Sequence, residues 1–287
     1  MAETGDMLDA RLRAGNVGTA DGALDVILDV VDRAQASLCD AAMVRIDAGF
    51  PSATLLAGLE GRGIDYVARL NANPALDRLV APHMKRPRRA GGTPAAWRQP
   101  AEPRMWLHTL HYRAESWDRQ RRIVLVVQER PDDFLLDRFF LVTSLEPEQM
   151  SRREVLEHYR ERGTAEGHMG ELKDVLAPAL SSTNRPKSHW RGRKTRTATP
   201  AVDAFACNEV RLLIALLAYQ VMHIARRAMA HATGTGWSLR RLRERVLRAG
   251  ARLILSGRRM TLALSGAAAP FWALLWPRIT TLHWAGP

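Results

Sequence analysis

The chain has only two cysteines, Cys39 and Cys207, and they lie far apart. That excludes a disulfide scaffold and a cysteine-rich zinc module. Lysine is scarce as well: Lys85, Lys173, Lys187 and Lys194 are the only four among forty-two basic residues, so thirty-eight are arginine. Aromatic residues make up 6% of the 287 positions, and no internal repeat is visible. The most apolar stretch, Met260–Trp276, is interrupted by Gly266 and Pro270 and falls short of a membrane span. Met1–Asp9 is acidic and polar, unlike a secretory leader. Acidic residues nearly vanish towards the C-terminus: 185–287 holds three against eighteen basic ones, a net of +15. Residues 1–84 have a net charge of −5 and 85–184 of +2, giving +12 overall.

With 46% apolar and 25% charged residues, the composition is that of a folded globular chain, long enough for one large domain or two ordinary ones. A C-terminal region so basic repels itself unless it meets phosphate, and each arginine–phosphate contact that releases a counterion adds affinity. The reading is a cytoplasmic protein that binds a polyanion. The alternative is an arginine-rich solvated surface.

Apolar periodicity organises the N-terminal third. Met7–Arg13 alternates Leu8, Ala10 and Leu12 with charged residues, the pattern of a half-buried strand. Asp21–Ala36 has helical spacing, Ala41–Ile46 reads as a buried strand, Pro51–Gly61 as a helix and Ile64–Leu70 as a strand. Alternating strands and helices predict an α/β sheet that breaks off at Pro74. Pro82 to Arg104 contains five prolines and the basic cluster Lys85, Arg86, Arg88 and Arg89, the composition of a mobile loop. Three strands follow, Arg104–Arg113, Arg122–Gln128 and Arg138–Ser144, and their short polar links favour an antiparallel meander.

From Ser151 the pattern is helical. Ser151 and Glu154 form a capping box for a helix running towards Asp174, and Asp203–His231 is a long apolar helix. Trp237–Ala249 reads as a basic helix and Ala251–Ser265 as a hairpin turning at Gly257. Trp237, Trp272, Trp276 and Trp284 are expected to pack these last elements.

Asp47 closes the strand that ends at Ile46, and Gly49 follows it. α/β sheets place their ligands beyond the carboxyl ends of strands, but an Asp there also serves as a turn or cap residue. Tyr159, Arg162, Glu166 and Lys173 would fall within roughly 60° of one another on an α-helix. A ring, a guanidinium, a carboxylate and an ammonium in line suit phosphodiester chemistry. A solvated charged face has the same composition. Between 185 and 196 six basic residues, Arg185, Lys187, Arg191, Arg193, Lys194 and Arg196, occur without an acid. Trp190 among them could stack on an unpaired base or anchor the loop. Cys39 and Cys207 read as small buried apolar residues, and His108 and His111 as structural, because alternation points them to opposite faces.

The segment Tyr159-Arg-Glu-Arg-Gly-Thr-Ala-Glu166-Gly-His-Met-Gly-Glu-Leu-Lys173 resembles the Y-x2-R-x3-E-x6-K signature of DDE transposases of bacterial insertion sequences. Other segments resemble that family in the same order. They are Leu12-Arg13-Ala14-Gly15-Asn16, Val44-Arg45-Ile46-Asp47-Ala48-Gly49-Phe50, Phe139-Phe140-Leu141-Val142-Thr143, Asn208-Glu209-Val210-Arg211-Leu212-Leu213 and Leu217-Ala218-Tyr219. The likeness extends from about Gly5 to Trp284.

The resemblance implies an α/β, RNase H-like fold with a β-rich insertion and a helical C-terminal part. It divides the chain into a partial core at 1–70, the insertion at 71–148, a helical return at 149–232 and a basic region at 233–287. It implies that Asp47 and Glu166 are catalytic carboxylates and metal ligands for Mg²⁺, with Mn²⁺ able to substitute. Tyr159, Arg162 and Lys173, together with Arg185, Lys187, Trp190, Arg191, Arg193, Lys194 and Arg196, would bind DNA. The partners implied are double-stranded DNA, as terminal inverted repeats and target, and a second copy of the chain on DNA, with no membrane and a nucleoid-associated cytoplasmic location. The family's first catalytic Asp lies on a strand upstream of the segment matched by Met7–Arg13. The sheet is therefore expected to be incomplete, lacking its first two strands, and the chain alone poorly stable and inactive. The alternative is a non-catalytic DNA-binding remnant that competes or co-assembles with an intact transposase. A third reading has the missing strands supplied by a separate product.

Overall fold

The structure, a computed structural model, describes residues 4–38, 43–86, 102–176, 180 and 204–281. The expected loop residues Arg88 and Arg89, the basic segment at 185–196, Cys39 and Trp284 lie outside the described residues. Packing divides the chain into two units, Asn16–Arg162 and Met1–Gly15 with Gly163–Pro287.

In the unit Asn16–Arg162, helix α1 (Ala23–Ser37) is followed by β1 (Met43–Ile46), α2 (Ala53–Gly61), β2 (Asp65–Leu70) and α3 (Pro74–Val80). Strands β3 (Arg104–Tyr112), β4 (Arg121–Glu129) and β5 (Leu136–Thr143) come next, then α4 (Arg152–Arg160). All five strands share one sheet in the order β1-β2-β5-β4-β3. β1 and β2 are parallel, in register Met43↔Asp65 to Ile46↔Ala68. The meander β3-β4-β5 is antiparallel, and β5 joins β2 antiparallel at Val67↔Thr143. The chain is thus a mixed α/β structure, and the β region expected as an insertion is hydrogen-bonded into the same sheet as β1 and β2.

β4 is buried along nearly its whole length because both sheet faces are covered. Ile123, Leu125 and Val127 pack with Leu55, Leu56, Leu59, Leu76 and Phe140 on the face carrying α2 and α3. Val124 and Val126 pack with Val67, Leu141, Val155, Leu156 and Tyr159 on the face carrying α4. The capping box at Ser151 is present: its hydroxyl accepts the Glu154 N–H and the Glu154 carboxylate accepts the Ser151 N–H.

The break expected at Pro74 is instead the start of α3. Asn73 caps it, its side-chain oxygen accepting the Ala75 and Leu76 N–H groups, and Pro74 takes the first helical turn, where a missing N–H costs nothing. The polar link after β3 also hides a core residue: Trp117 is buried and meets Tyr112 edge-on at 5.6 Å.

The second unit holds α5 from Gly163 onward (Arg162–Glu171), a π-helical turn Leu172–Leu176, α6 (Ala204–Thr233), α7 (Leu239–Leu242) with a π-helical turn Arg243–Leu247, the hairpin β6 (Ala251–Ser256) and β7 (Arg259–Leu264), and α8 (Ala269–Thr280). The hairpin turns at Gly257, whose φ of +57° suits glycine. The basic helix expected over Trp237–Ala249 is shorter, starting after the Ser238 cap and relaxing into the π-helical turn. Tyr219, Met222, Met229, Trp237, Leu242, Val246 and Leu275 form the core of this unit. Trp237 and Trp272 pack as expected, the latter donating its indole N–H to Val246 O at 3.0 Å, whereas Trp276 is exposed. Cys207 is half-buried rather than buried.

One sequence reading in this unit fails. Met7–Arg13 forms no strand. Its backbone is tied to a helix side chain instead: Gln220 donates to Met7 O at 2.7 Å and accepts the Met7 N–H at 3.4 Å, imitating one rung of a ladder. Met260–Trp276 reads as the most apolar stretch of the sequence; among the described residues it is α6, over Phe205–Thr233, that is long and apolar enough to cross a membrane by length and composition alone, a test that the core helix of a soluble protein also passes. One face of it carries Tyr219, His223 and Arg226 in a buried polar network, while Val210, Ile214, Leu217 and Val221 on another are exposed.

Candidate active site

β1 delivers Asp47 to the carboxyl end of the parallel pair. The chain turns at once, with the Phe50 N–H donating to Asp47 O at 3.1 Å, and Ser52 then caps α2 by accepting the Leu55 N–H. Asp47 Oδ1 accepts the Ala48 N–H at 2.8 Å. Two distant side chains brace the turn: Thr19 Oγ1 donates to Gly49 O at 2.5 Å and Asn71 Nδ2 donates to Ala48 O at 3.0 Å. A Cβ on Gly49 would stand 3.3 Å from Thr19 Oγ1, a tight contact that a shift of a few tenths of an ångström in the exposed threonine would relieve.

The Asp47 carboxylate is 45% exposed, and its Oδ2 lies 3.0 Å from an Arg162 guanidinium nitrogen. Arg45, two residues before Asp47 and on the same side by strand alternation, pairs with Glu161 at 3.2 Å. Its second terminal nitrogen, Nη1, is buried without a hydrogen-bond partner among the described residues. Two guanidiniums and two carboxylates from β1 and the end of α4 therefore meet in one patch.

The helix expected to run from Ser151 towards Asp174 is parted at Glu161 into α4 and α5, and leaves α-helical geometry at Leu172. Glu161 N–H is shared between the Glu157 and Tyr159 carbonyls, which tightens the turn, and Gly163 and Gly167 give α5 little intrinsic helicity. The four signature residues consequently do not share one continuous α-helical face. Tyr159 is 7% exposed and packed under the sheet, its hydroxyl without a hydrogen-bond partner among the described residues, so its ring presents no face for a base. Arg162 is half-buried at Asp47. Glu166, on α5 in the second unit, is exposed. Lys173 is exposed on the π-helical turn, where the wider winding shifts it out of step with Glu166. Arg185, Lys187, Trp190, Arg191, Arg193, Lys194 and Arg196 lie outside the described residues.

The second unit contains a polar cluster that the sequence did not announce. Arg226, 8% exposed, ion-pairs with Glu171 and donates to Nδ1 of His223 and, at 3.2 Å, to Nδ1 of His168. Tyr219 donates to Gly5 O at 3.1 Å, His223 Nε2 lies 2.7 Å from Thr4 O, and Glu171 accepts the Leu239 N–H at 3.0 Å. Burial holds His223 below its usual pKa. Burial and then the Arg226 charge do the same for His168. The cluster fastens the N-terminal segment, α5 and α7 to α6. The i, i+4 and i+3 spacing of Tyr219, His223 and Arg226 was its only sequence signal.

Among the described residues, no group of three or more His, Cys, Asp or Glu side chains is arranged to hold a metal ion. In comparison with known proteins, a family model described as the transposase DDE domain group 1 matches residues 2–283. No curated protein matches the chain.

Proposed function

The chain belongs to the transposase DDE domain group 1 family, and on that footing we propose that it cleaves and rejoins DNA phosphodiesters at the ends of an insertion sequence. Asp47 is the reacting-centre carboxylate in this reading. The observation that carries it is the meeting of Asp47, at the carboxyl end of β1, with Arg162 of the signature segment at 3.0 Å. Sheets of this kind present ligand-binding groups at strand ends, and a planar guanidinium takes a phosphate through two parallel hydrogen bonds. Arg162 would hold a DNA phosphate beside the Asp47 carboxylate. Arg45, fixed by Glu161, keeps positive charge at the same spot. Glu166 and Lys173 take their proposed roles, second carboxylate and phosphate contact, from the signature alone. The basic run at 185–196 adds sequence-independent attraction for duplex DNA. The setting is the cytoplasm, on nucleoid DNA.

DDE transposases use a divalent metal ion, and Mg²⁺ is the ion proposed here. The side chains as they stand do not fit it. Asp47 is a single carboxylate, and the cation beside it is a guanidinium.

The test is cleavage and joining of duplexes taken from the ends of the DNA segment that encodes the chain, with Mg²⁺ or Mn²⁺. Activity that disappears in Asp47→Asn and in Glu166→Gln, with duplex binding retained, is the expected result. Cleavage that survives Asp47→Asn refutes the role given to Asp47. Salt-dependent binding without any cleavage by the unaltered chain favours a DNA-binding protein without catalysis.

A further inference from the structure

We propose that the DNA backbone reaching Asp47 continues along one edge of the sheet to a second holding point, an arginine-lined cavity at the start of β3. Arg69 holds a phosphate on the way, and Arg160 and Arg104 hold another at the cavity. The inference rests on the reading of Asp47 and Arg162 as the place where DNA is cut, and deepens it by naming where the backbone runs.

Strand alternation sets the line. Val67 and Leu141 pack under α4, so Arg69 and Phe139, two residues away on the same strands, stand on the α4 face as well. Val126 and Leu107 place Gln128 and Met105 there by the same count. The register makes these residues neighbours along the edge where β1, β2 and β4 end and β5 and β3 begin. Ile46 pairs with Ala68, which sets Asp47 beside Arg69. Arg69 then pairs with Leu141, Asp137 with Gln128, and Gln128 with Met105. From β2 to β3 is three strand spacings, about 14 Å, which at 3.4 Å of helix axis per phosphate covers about four phosphates of one strand.

The arginines on this line are available. Arg69 is exposed, and its guanidinium carbon lies 5.1 Å from the centre of the Phe139 ring. That contact uses the face of the guanidinium and leaves the N–H donors at its rim for a phosphate. Arg160, at the end of α4, donates to Met105 Sδ at 3.2 Å, and a thioether is a weak acceptor that a phosphate oxygen outcompetes. Arg160 and Arg104 line a cavity of about 470 Å³ together with Met105, Gln128, Arg130 and Asp132. A cavity of that volume accommodates a nucleotide. Among the described residues, Arg69, Arg104 and Arg160 have no carboxylate partner, because nearby acids are engaged elsewhere: Glu129 by Arg86 at 2.5 Å and Asp137 by Arg130 at 3.1 Å. Asp132 is exposed, so its charge is screened by solvent rather than buried against the arginines.

The experiment measures binding of the full chain to a fluorescent duplex, and to single strands of increasing length, over a series of salt concentrations. The variants are Arg69→Gln, the double variant Arg104→Gln with Arg160→Gln, and Arg33→Gln, which removes a charge from the exposed side of α1. Amide exchange of Ile123–Val127 shows that each keeps the fold. Arg69→Gln and the double variant are each expected to flatten log affinity against log salt by about 0.9 on duplex, or about 0.7 on single strands, for each phosphate no longer held. Arg33→Gln leaves the slope unchanged. Affinity of the unaltered chain rises with strand length until the strand spans the edge, and the double variant loses the last part of that rise. If Arg69→Gln or the double variant keeps the slope of the unaltered chain, the path is overturned and these arginines are a solvated surface. Cleavage that depends on Asp47 is untouched by that result. Flattened slopes in a chain that cuts no DNA leave the path standing and refute the reading of Asp47.

Discussion

Removing Glu60 is the sharpest test of what holds the Asp47 turn from behind. Glu60 lies near the end of α2, the helix that leaves that turn, and its carboxylate is 8% exposed. It accepts two bonds from Arg121 at 2.7 Å each, one from the Tyr66 hydroxyl at 2.7 Å and one from Arg119 at 3.0 Å. Arg121, at the start of β4, is 2% exposed, lies over Trp117 with its guanidinium carbon 5.0 Å from the ring, and has one other carboxylate partner, Asp118. Glu60→Ala leaves a buried guanidinium facing a void, with a surface aspartate as its remaining acid. Breaking one side of such a pair costs about 3–5 kcal/mol, whereas replacing both sides by apolar groups is often close to neutral. Glu60→Ala should therefore lower the unfolding free energy of this unit by about that amount, and Glu60→Leu with Arg121→Met should recover most of it. Because two units can unfold separately, the assay is hydrogen exchange of the β4 amides Ile123–Val127, which reports this unit alone. A decrease below about 1 kcal/mol, or a double variant worse than the sum of the singles, refutes the reasoning. The pH dependence gives a second check. Burial alone would raise the pKa of Glu60, but the bonds from Arg121, Tyr66 and Arg119 hold it below the ordinary value of 4.5. Its contribution is complete above that value and is lost as the pH falls through the lowered one.

The histidines of the second unit titrate with a related effect. His168 and His223 are held below their ordinary 6.5, so they are neutral in the fold and protonate more readily when unfolded. Stability is then complete above pH 6.5 and falls as the pH drops from there through the lowered values, by at most about 1.4 kcal/mol per group per pH unit. Amide exchange of the N-terminal segment between pH 7 and 5 should show it, and His223→Gln should flatten the profile; a flat profile in the unaltered chain contradicts it. Gly49→Ala should change thermal unfolding by no more than about 0.5 kcal/mol, because Gly49 and Thr19 are both exposed and the threonine need give only slightly; a loss above about 1 kcal/mol would mean that Thr19 cannot yield. Reversing charge at Arg191, Arg193 and Lys194 should weaken duplex binding whatever the sequence, and flatten log affinity against log salt by about 0.9 for each phosphate that is no longer neutralised. Unchanged affinity would remove the basic segment from the DNA surface.

What could be read from the sequence was what depends on near neighbours. β1, α2 and β2 follow from short apolar runs bounded by Asp47-Ala48-Gly49 and by Gly61 and Gly63, and the meander from runs separated by short polar links. Asp47 was legible because strand end and turn adjoin in sequence. Met7–Arg13 shows why periodicity alone is insufficient: alternation describes a strand only where a neighbouring strand offers a ladder, and here Gln220 offers a single amide. Pro74 misled because proline both ends helices and begins them, and the deciding atom is the Asn73 side-chain oxygen. The burial of Tyr159 was within reach, since Val155, Leu156 and Tyr159 fall on one side of a helix. The bracing of Gly49 by Thr19, and the pairing of Arg162 with Asp47, required the fold.

That last pairing changes how the site is understood. A carboxylate at a strand end can be controlled in two ways, by moving it or by changing what neutralises it. Movement is disfavoured here, because Thr19, Asn71 and the Ser52 cap converge on a turn of a few residues, and α2 behind it is bolted to β4 through Glu60 and Arg121. The neutralising partner is much easier to exchange. Arg162 is a half-buried side chain at the start of α5, and its pair with Asp47 is partly open to solvent, where such a pair is worth about 1 kcal/mol. A fixed acid beside an exchangeable cation would let a DNA phosphate draw Arg162 off Asp47 without any rearrangement of the sheet, since a ligand shifts such a balance by its differential affinity for the two states alone. With Arg162 read as a phosphate contact, Arg162→Gln should weaken duplex binding and flatten its salt dependence while leaving the amide exchange of β4 unmoved.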